Sequence, residues 1–235
     1  MSMSDPTNFA CPNCGEMNEF DVFASVNADR RPDLRDDIVS GEFMRIKCSS
    51  CQIDFRPEPD LNYLDFENGL WIQAKPLGWI AHWADLETEA AELFDAAYGS
   101  GAPASAREIG DELKPRITFG WSALREKIVI AQEELDDIAL EETKIAVLRN
   151  KPDNPVEPGV ELRLISVHDP VLQMGWIRAA TNEALQVFEV QRALYEDISG
   201  DEGWADLGKQ LSAGYLVDTL RLFIAPTPYE PEAAE

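Results

Sequence analysis

Residues 11–51 read CPNCGEMNEFDVFASVNADRRPDLRDDIVSGEFMRIKCSSC, and the two cysteine pairs at their ends decide how the chain is read. Cys11-Pro12-Asn13-Cys14 and Cys48-Ser49-Ser50-Cys51 hold all four cysteines of a 235-residue chain. Two C-x-x-C turns can bring four thiolates to one tetrahedral metal, and Zn²⁺ accepts such a shell without geometric strain. Four protein ligands leave no open coordination position. The spacing therefore predicts a structural zinc site at Cys11, Cys14, Cys48 and Cys51, whose binding energy supplies folding energy. Gly15 suits a tight knuckle turn that needs positive φ. A redox dithiol is the rival chemistry, but it wants its first cysteine at a helix N-terminus. Here loop and then strand follow Cys14.

A common zinc ribbon has about 15–20 residues between its pairs. This longer gap carries elements of its own. Phe20–Val26 alternates as a strand, Pro32 to Gly41 has the proline-first, glycine-last form of a short helix, and Phe43–Lys47 reads as a strand entering the second pair. Beyond Cys51, Asn68-Gly69 between Tyr63–Phe66 and Leu70–Ala74 signals a hairpin. Trp83, Leu86, Ala90, Leu93 and Ala97 fall on one helical face, with Gly99 as the stop, and a short helix is expected over 104–113. A single long helix of about 42 Å is expected from Ser122 to Arg149, its apolar stripe opposed by a solvated acidic face of Glu133, Glu134, Asp137 and Glu141.

Three prolines within 151–159 mark a linker. After it, strands are expected over 160–167, 172–177 and 186–190, helices over 194–198 and 204–211, and a closing strand over 215–224. The reading is thus an α+β protein: a flexible leader over 1–8, a zinc-ribbon-like antiparallel β region with a strand–helix–strand insertion and a long helix over 9–150, the linker, a smaller β-rich part over 160–225, and a mobile tail over 226–235.

A net charge of −24, from 44 acidic against 20 basic residues, opposes phosphate backbones and anionic membranes as main partners. No apolar run is long enough to span a bilayer and the start lacks the character of a signal peptide, so a cytoplasmic protein is expected. His82 and His168 are the only histidines. No G-x-S-x-G, phosphate loop or G-x-G-x-x-G accompanies them.

Residues 11–66, with both pairs and the insertion between them, are similar to the CpXC family, named for its Cys-Pro-x-Cys motifs. The stretch ITFGWSALREKIVIAQEELDDIALEETKI resembles that family's long helix, so the resemblance covers about 9–150. LRLISVHDPVLQMGWI and ALYEDI are more loosely similar to the β-rich end of longer members. Cys48-Ser49-Ser50-Cys51 departs from the pattern by lacking the proline. The resemblance implies a four-cysteine metal site and no particular activity. The sequence reads as a zinc-stabilised protein-interaction or regulatory module whose partner is another protein. The alternatives are an enzyme with a site remote from the zinc, with His82, His168 and Asp136-Asp137 as the places to look, and a nucleic-acid binder using Arg30, Arg31, Arg35, Arg45, Lys47 and Arg56.

Overall fold

A computed structural model describes residues 2–150 and 157–229. Among these residues the chain is mixed α+β, with three sheets. The largest has five strands in the order β1 (Met3–Ala10), β2 (Met17–Asn27), β5 (Leu61–Asp65), β6 (Leu70–Lys75), β7 (Lys114–Phe119). Its β2/β5 and β6/β7 pairs are parallel and its other pairs antiparallel. The second pairs β3 (Ile46–Lys47) with β4 (Asp54–Phe55) across the second cysteine turn. The third is an antiparallel meander of β8 (Val160–His168), β9 (Val171–Arg178) and β10 (Glu183–Gln191).

Strand β6 lies inside the large sheet, between β5 and β7, and is buried on both faces, which its sequence explains. Leu70, Ile72 and Ala74 point to one core, with Tyr63, Leu124, Ile128 and Ile38 of helix α1 (Pro32–Ser40). Trp71 points to the other, with Phe119, Ile117 and Leu86 of helix α2 (Trp83–Tyr98). The period of two thus feeds two layers. Gly41 closes α1 in the left-handed region at φ 83°. Helix α3 (Ala104–Gly110) leads into β7.

Helix α4 (Gly120–Gln132) gives Leu124 and Ile128 to the first core and Val129 and Ile130 to a third, so it is buried on nearly all sides. That third core also holds Leu140 and Val147 of helix α5 (Asp137–Asn150), Leu164 of β8, Trp176 of β9 and Tyr195 of helix α6 (Arg192–Ser199). Helices α7 (Ala205–Leu211) and α8 (Leu220–Phe223) follow.

Four expectations need correction. The single helix over 122–149 is two. Glu134 adopts φ 52°, the N–H of Leu135 donates to Ile130 O and that of Glu134 to Ala131 O, which is a Schellman ending with Ile130 and Leu135 packed in one core. Asp136 then starts α5, its Oδ1 accepting from the N–H groups of Ile138 and Ala139. The leader over 1–8 is largely strand β1, which finds backbone partners along β2. The closing strand over 215–224 is instead an extended turn ending in α8. It covers the outer edge of β7 by one bond, from Ile117 N–H to Tyr215 O. The tail is held as far as Tyr229, whose N–H donates to Asp85 and whose ring lies against Trp79 and His82. The expected linker at 151–159 lies mostly, and the expected tail beyond 229 wholly, outside the described residues.

Candidate metal centre

The cysteines sit on two turns with the same hydrogen-bond pattern. In the first, Cys11 N–H donates to Glu16 O at 2.8 Å and Gly15 N–H to Cys11 O at 2.9 Å. In the second, Cys48 N–H donates to Ile53 O at 2.9 Å and Gln52 N–H to Cys48 O at 3.1 Å. The fourth residue after the leading cysteine needs positive φ in both. Gly15 supplies 75° without strain, while Gln52 reaches 62° and its amide donates to the carbonyls of Cys48 and Ser49.

These turns bring the four sulfurs within 4.8 Å of one another. Cys11 and Cys51 are 3.6 Å apart, as are Cys14 and Cys48, and all four are free thiols. Tetrahedral zinc–sulfur bonds of about 2.3 Å place their sulfurs about 3.8 Å from one another, so the cluster fits such an ion. Cys11 and Cys48 are buried, whereas Cys14 is exposed.

The electrostatics of the cluster point the same way. Backbone N–H groups of Cys51 and Ser50 pull the Cys48 thiol down to about 6. Cys51 is lowered by the backbone at Ile53 and the side chain of Asn13. At Cys14 the backbone at Glu16 lowers the value, but burial and the three other thiols outweigh it and push the group up to about 12. Two thiols are pulled toward ionisation and a third is held back, because its proton is shared in hydrogen bonds with the other sulfurs. A cation at the centre removes that obstacle.

One supporting residue carried no signal in the sequence. Asn18, buried at the start of β2, links the two turns: its Nδ2 donates to Glu16 O and lies 3.8 Å from Cys48 Sγ, while its Oδ1 accepts from Ser49 N–H at 2.9 Å and Ser49 Oγ at 3.1 Å. The position that departs from Cys-Pro-x-Cys therefore uses its N–H, which a proline would lack.

A comparison with protein families matches residues 9–144 to the CpXC protein family, more than half of the chain. The chain belongs to the CpXC family. No curated protein and no solved structure matches it. The CpXC match runs from the first cysteine turn into α5 and so spans the whole cysteine cluster.

A second group of potential ligands lies deep in this CpXC protein, where Glu126 of α4, Glu141 of α5 and Asp218 come within 4.8 Å. Their shared space is already filled by cations of the chain. Lys144 Nζ donates to Glu126 at 2.7 Å and Glu141 at 2.8 Å. Arg163 forks to Glu161 and also reaches Glu126 and Asp218. Alongside, Asp137 accepts from Arg116 and Lys127. The expected solvated acidic face is thus half wrong. Glu133 and Glu134 are exposed, but Asp137 and Glu141 turn inward because α5 starts anew after the break and rotates them to the core. Burial raises Asp218, yet Arg163 and Lys144 outweigh it and hold the group at about 2. Glu141 is pushed up to about 7, as burial together with Asp218 and Glu126 outweighs Lys144 and Lys127.

The other sequence candidates are not brought together. His82 Nδ1 is 3.1 Å from Thr227 O, and exposed His168 meets Ser166. Of the basic residues near the cysteines, Arg31 pairs with Asp33, Arg35 lies near Asp36, Asp65 and Glu67, and Arg45 pairs with Glu42. Among the described residues no helix is long and apolar enough to cross a membrane.

Proposed function

We propose that this CpXC protein holds one structural Zn²⁺ on Cys11, Cys14, Cys48 and Cys51, and works as a protein-interaction module in the cytoplasm. The carrying observation is the sulfur cluster itself: four thiols within 4.8 Å, on two matched turns, with Asn18 joining them. Such a shell is closed to substrate, so the metal pins β3, β4 and the foot of β2, which contribute little apolar core of their own. Binding to another protein is supported by β10, the end strand of its sheet among the described residues, where Leu185 and Val187 are 39% and 46% exposed. An edge strand with apolar side chains is a ready surface for pairing.

Elemental mass spectrometry of the full chain, purified without chelators, tests the metal assignment. The expected result is close to one zinc per chain, and none in Cys48→Ser. A chain that is fully folded without metal, or that carries iron instead, contradicts it. Replacing Val187 by Lys tests the edge: a partner captured by the wild-type chain should be lost while the zinc content stays unchanged.

A further inference from the structure

Among the described residues, the buried and half-buried cations of this acidic protein are generally matched to carboxylates. Lys127, Lys144, Arg116, Arg163 and Arg221 each touch at least one. Arg56 and Arg125 do not: among the described residues neither has a carboxylate within ion-pair distance. Arg125 donates only to the backbone carbonyls of Val39 and Ile165. Among the described residues Arg56 Nε and Nη2 are buried with no hydrogen-bond partner, and its guanidinium lies 3.6 Å from the ring centre of Trp121. Burial and the nearby charge of Arg45 lower Arg56 to about 10, a sign of uncompensated positive charge. Leaving such donors unpaired is costly, and a protein with 44 acidic residues has no shortage of possible partners.

Arg45, Arg56 and Arg125 line one cavity of about 620 Å³. It opens where Pro12 of the first cysteine turn, strand β4, the end of α1, the start of α4, strands β8 and β9 and the turn after β9 meet. The fourth arginine on its wall, Arg163, is already neutralised by Glu126, Glu161 and Asp218. Phe55, Leu164 and Ile177 supply an apolar wall, and exposed Asp54 and Glu58 are the carboxylates at the cavity among the described residues. The volume is within the range of small-molecule sites, and the combination of apolar wall with a few convergent polar groups is their usual make-up.

We propose that this cavity binds a small organic phosphate, with the phosphoryl group taken by Arg56 and Arg125, Arg45 alongside, and the organic part against Phe55 and Ile177. Guanidinium forks match phosphate oxygens, and a stacked Arg56 is held ready by Trp121. A phosphate has enough oxygens to engage more than one arginine, whereas a carboxylate is satisfied by a single fork. The site borders the first cysteine turn at Pro12 but none of the four cysteines lines it.

Calorimetric titration of the metal-loaded full chain with phenyl phosphate tests this, with phenylacetate as the carboxylate control. Saturable binding with a dissociation constant below about 1 mM is expected, with phenylacetate at least about tenfold weaker. Arg56→Met should weaken phenyl phosphate by about tenfold or more while leaving the ligand-free melting temperature equal or raised, because an unpaired buried charge is removed. A purely structural Arg56 would instead lower it. No saturable binding, equal binding of phenylacetate, or full affinity in Arg56→Met overturns the proposal. Should Arg56→Met fail to fold, Arg125→Lys must show the same loss, and retained affinity there overturns it equally.

Discussion

The cysteine cluster and the buried cluster around Glu126 both gather anionic ligands within 4.8 Å, yet they call for opposite readings. At Glu126, Glu141 and Asp218 the chain supplies its own cations, Lys144 and Arg163, and their nitrogens occupy the space an ion would take. At Cys11, Cys14, Cys48 and Cys51 no Lys or Arg donates to the sulfurs among the described residues; their polar neighbours there are one another, Asn13, Asn18 and backbone N–H groups. Proximity of ligands is therefore no sufficient sign of a metal. What separates the two clusters is whether the fold already balances the charge.

The clusters also differ in what they join. The cysteines clip two short turns to the foot of one strand. The ion network joins α4, α5, β8 and the segment around Asp218, and so ties the meander to the CpXC-matched part.

The comparison breaks most visibly at the ligands. Cys48→Ser should lose the metal altogether and the order of both turns with it, read by metal content and by the amide spectrum of residues 11–18 and 46–55. Next in size is Lys144→Met. It leaves Glu126 and Glu141 buried without their shared cation and should cost about 3–5 kcal/mol in urea unfolding, with metal content untouched. Asn18→Ala should weaken metal affinity by roughly 10–100-fold in a chelator competition, since it removes the link between the turns but no ligand.

The smallest effect is on pH dependence. Folded Glu141 keeps its proton to about pH 7, against an ordinary value of 4.5. The folded state then binds the extra proton between these values, so this group makes stability fall as pH rises from 4.5 to 7. Asp218 acts in the opposite sense and only in acid, below its ordinary 3.8 toward about 2. Subtracting the stability profile of Glu141→Gln from that of wild type above pH 4.5 should expose the falling component, and parallel profiles would show that Glu141 is ionised throughout.

Much of this was legible in the chain itself. The cysteine spacing, the α1 helix between Pro32 and Gly41, the Asn68-Gly69 hairpin and the three-stranded meander all follow from local patterns. The break between α4 and α5 was hidden because Ala131, Leu135 and Ile138 carry the helical period across it, with no Gly or Pro to mark the stop. Asp136, two residues beyond Glu134, was the available signal for a new N-cap. Strand β7 was masked by Pro115, which an outer strand tolerates. The buried charges could not be read locally at all. Asp137 and Glu141 look solvated until Arg116, Lys127, Lys144 and Asp218, some of them dozens of residues away, are brought beside them.

Hydrogen exchange on the full chain before and after metal removal tests the contrast most directly. Residues 11–18 and 46–55 should lose protection when the metal is stripped, while α4, α5 and the β8–β10 meander keep theirs. Unchanged protection across both cysteine turns in the stripped protein would contradict it.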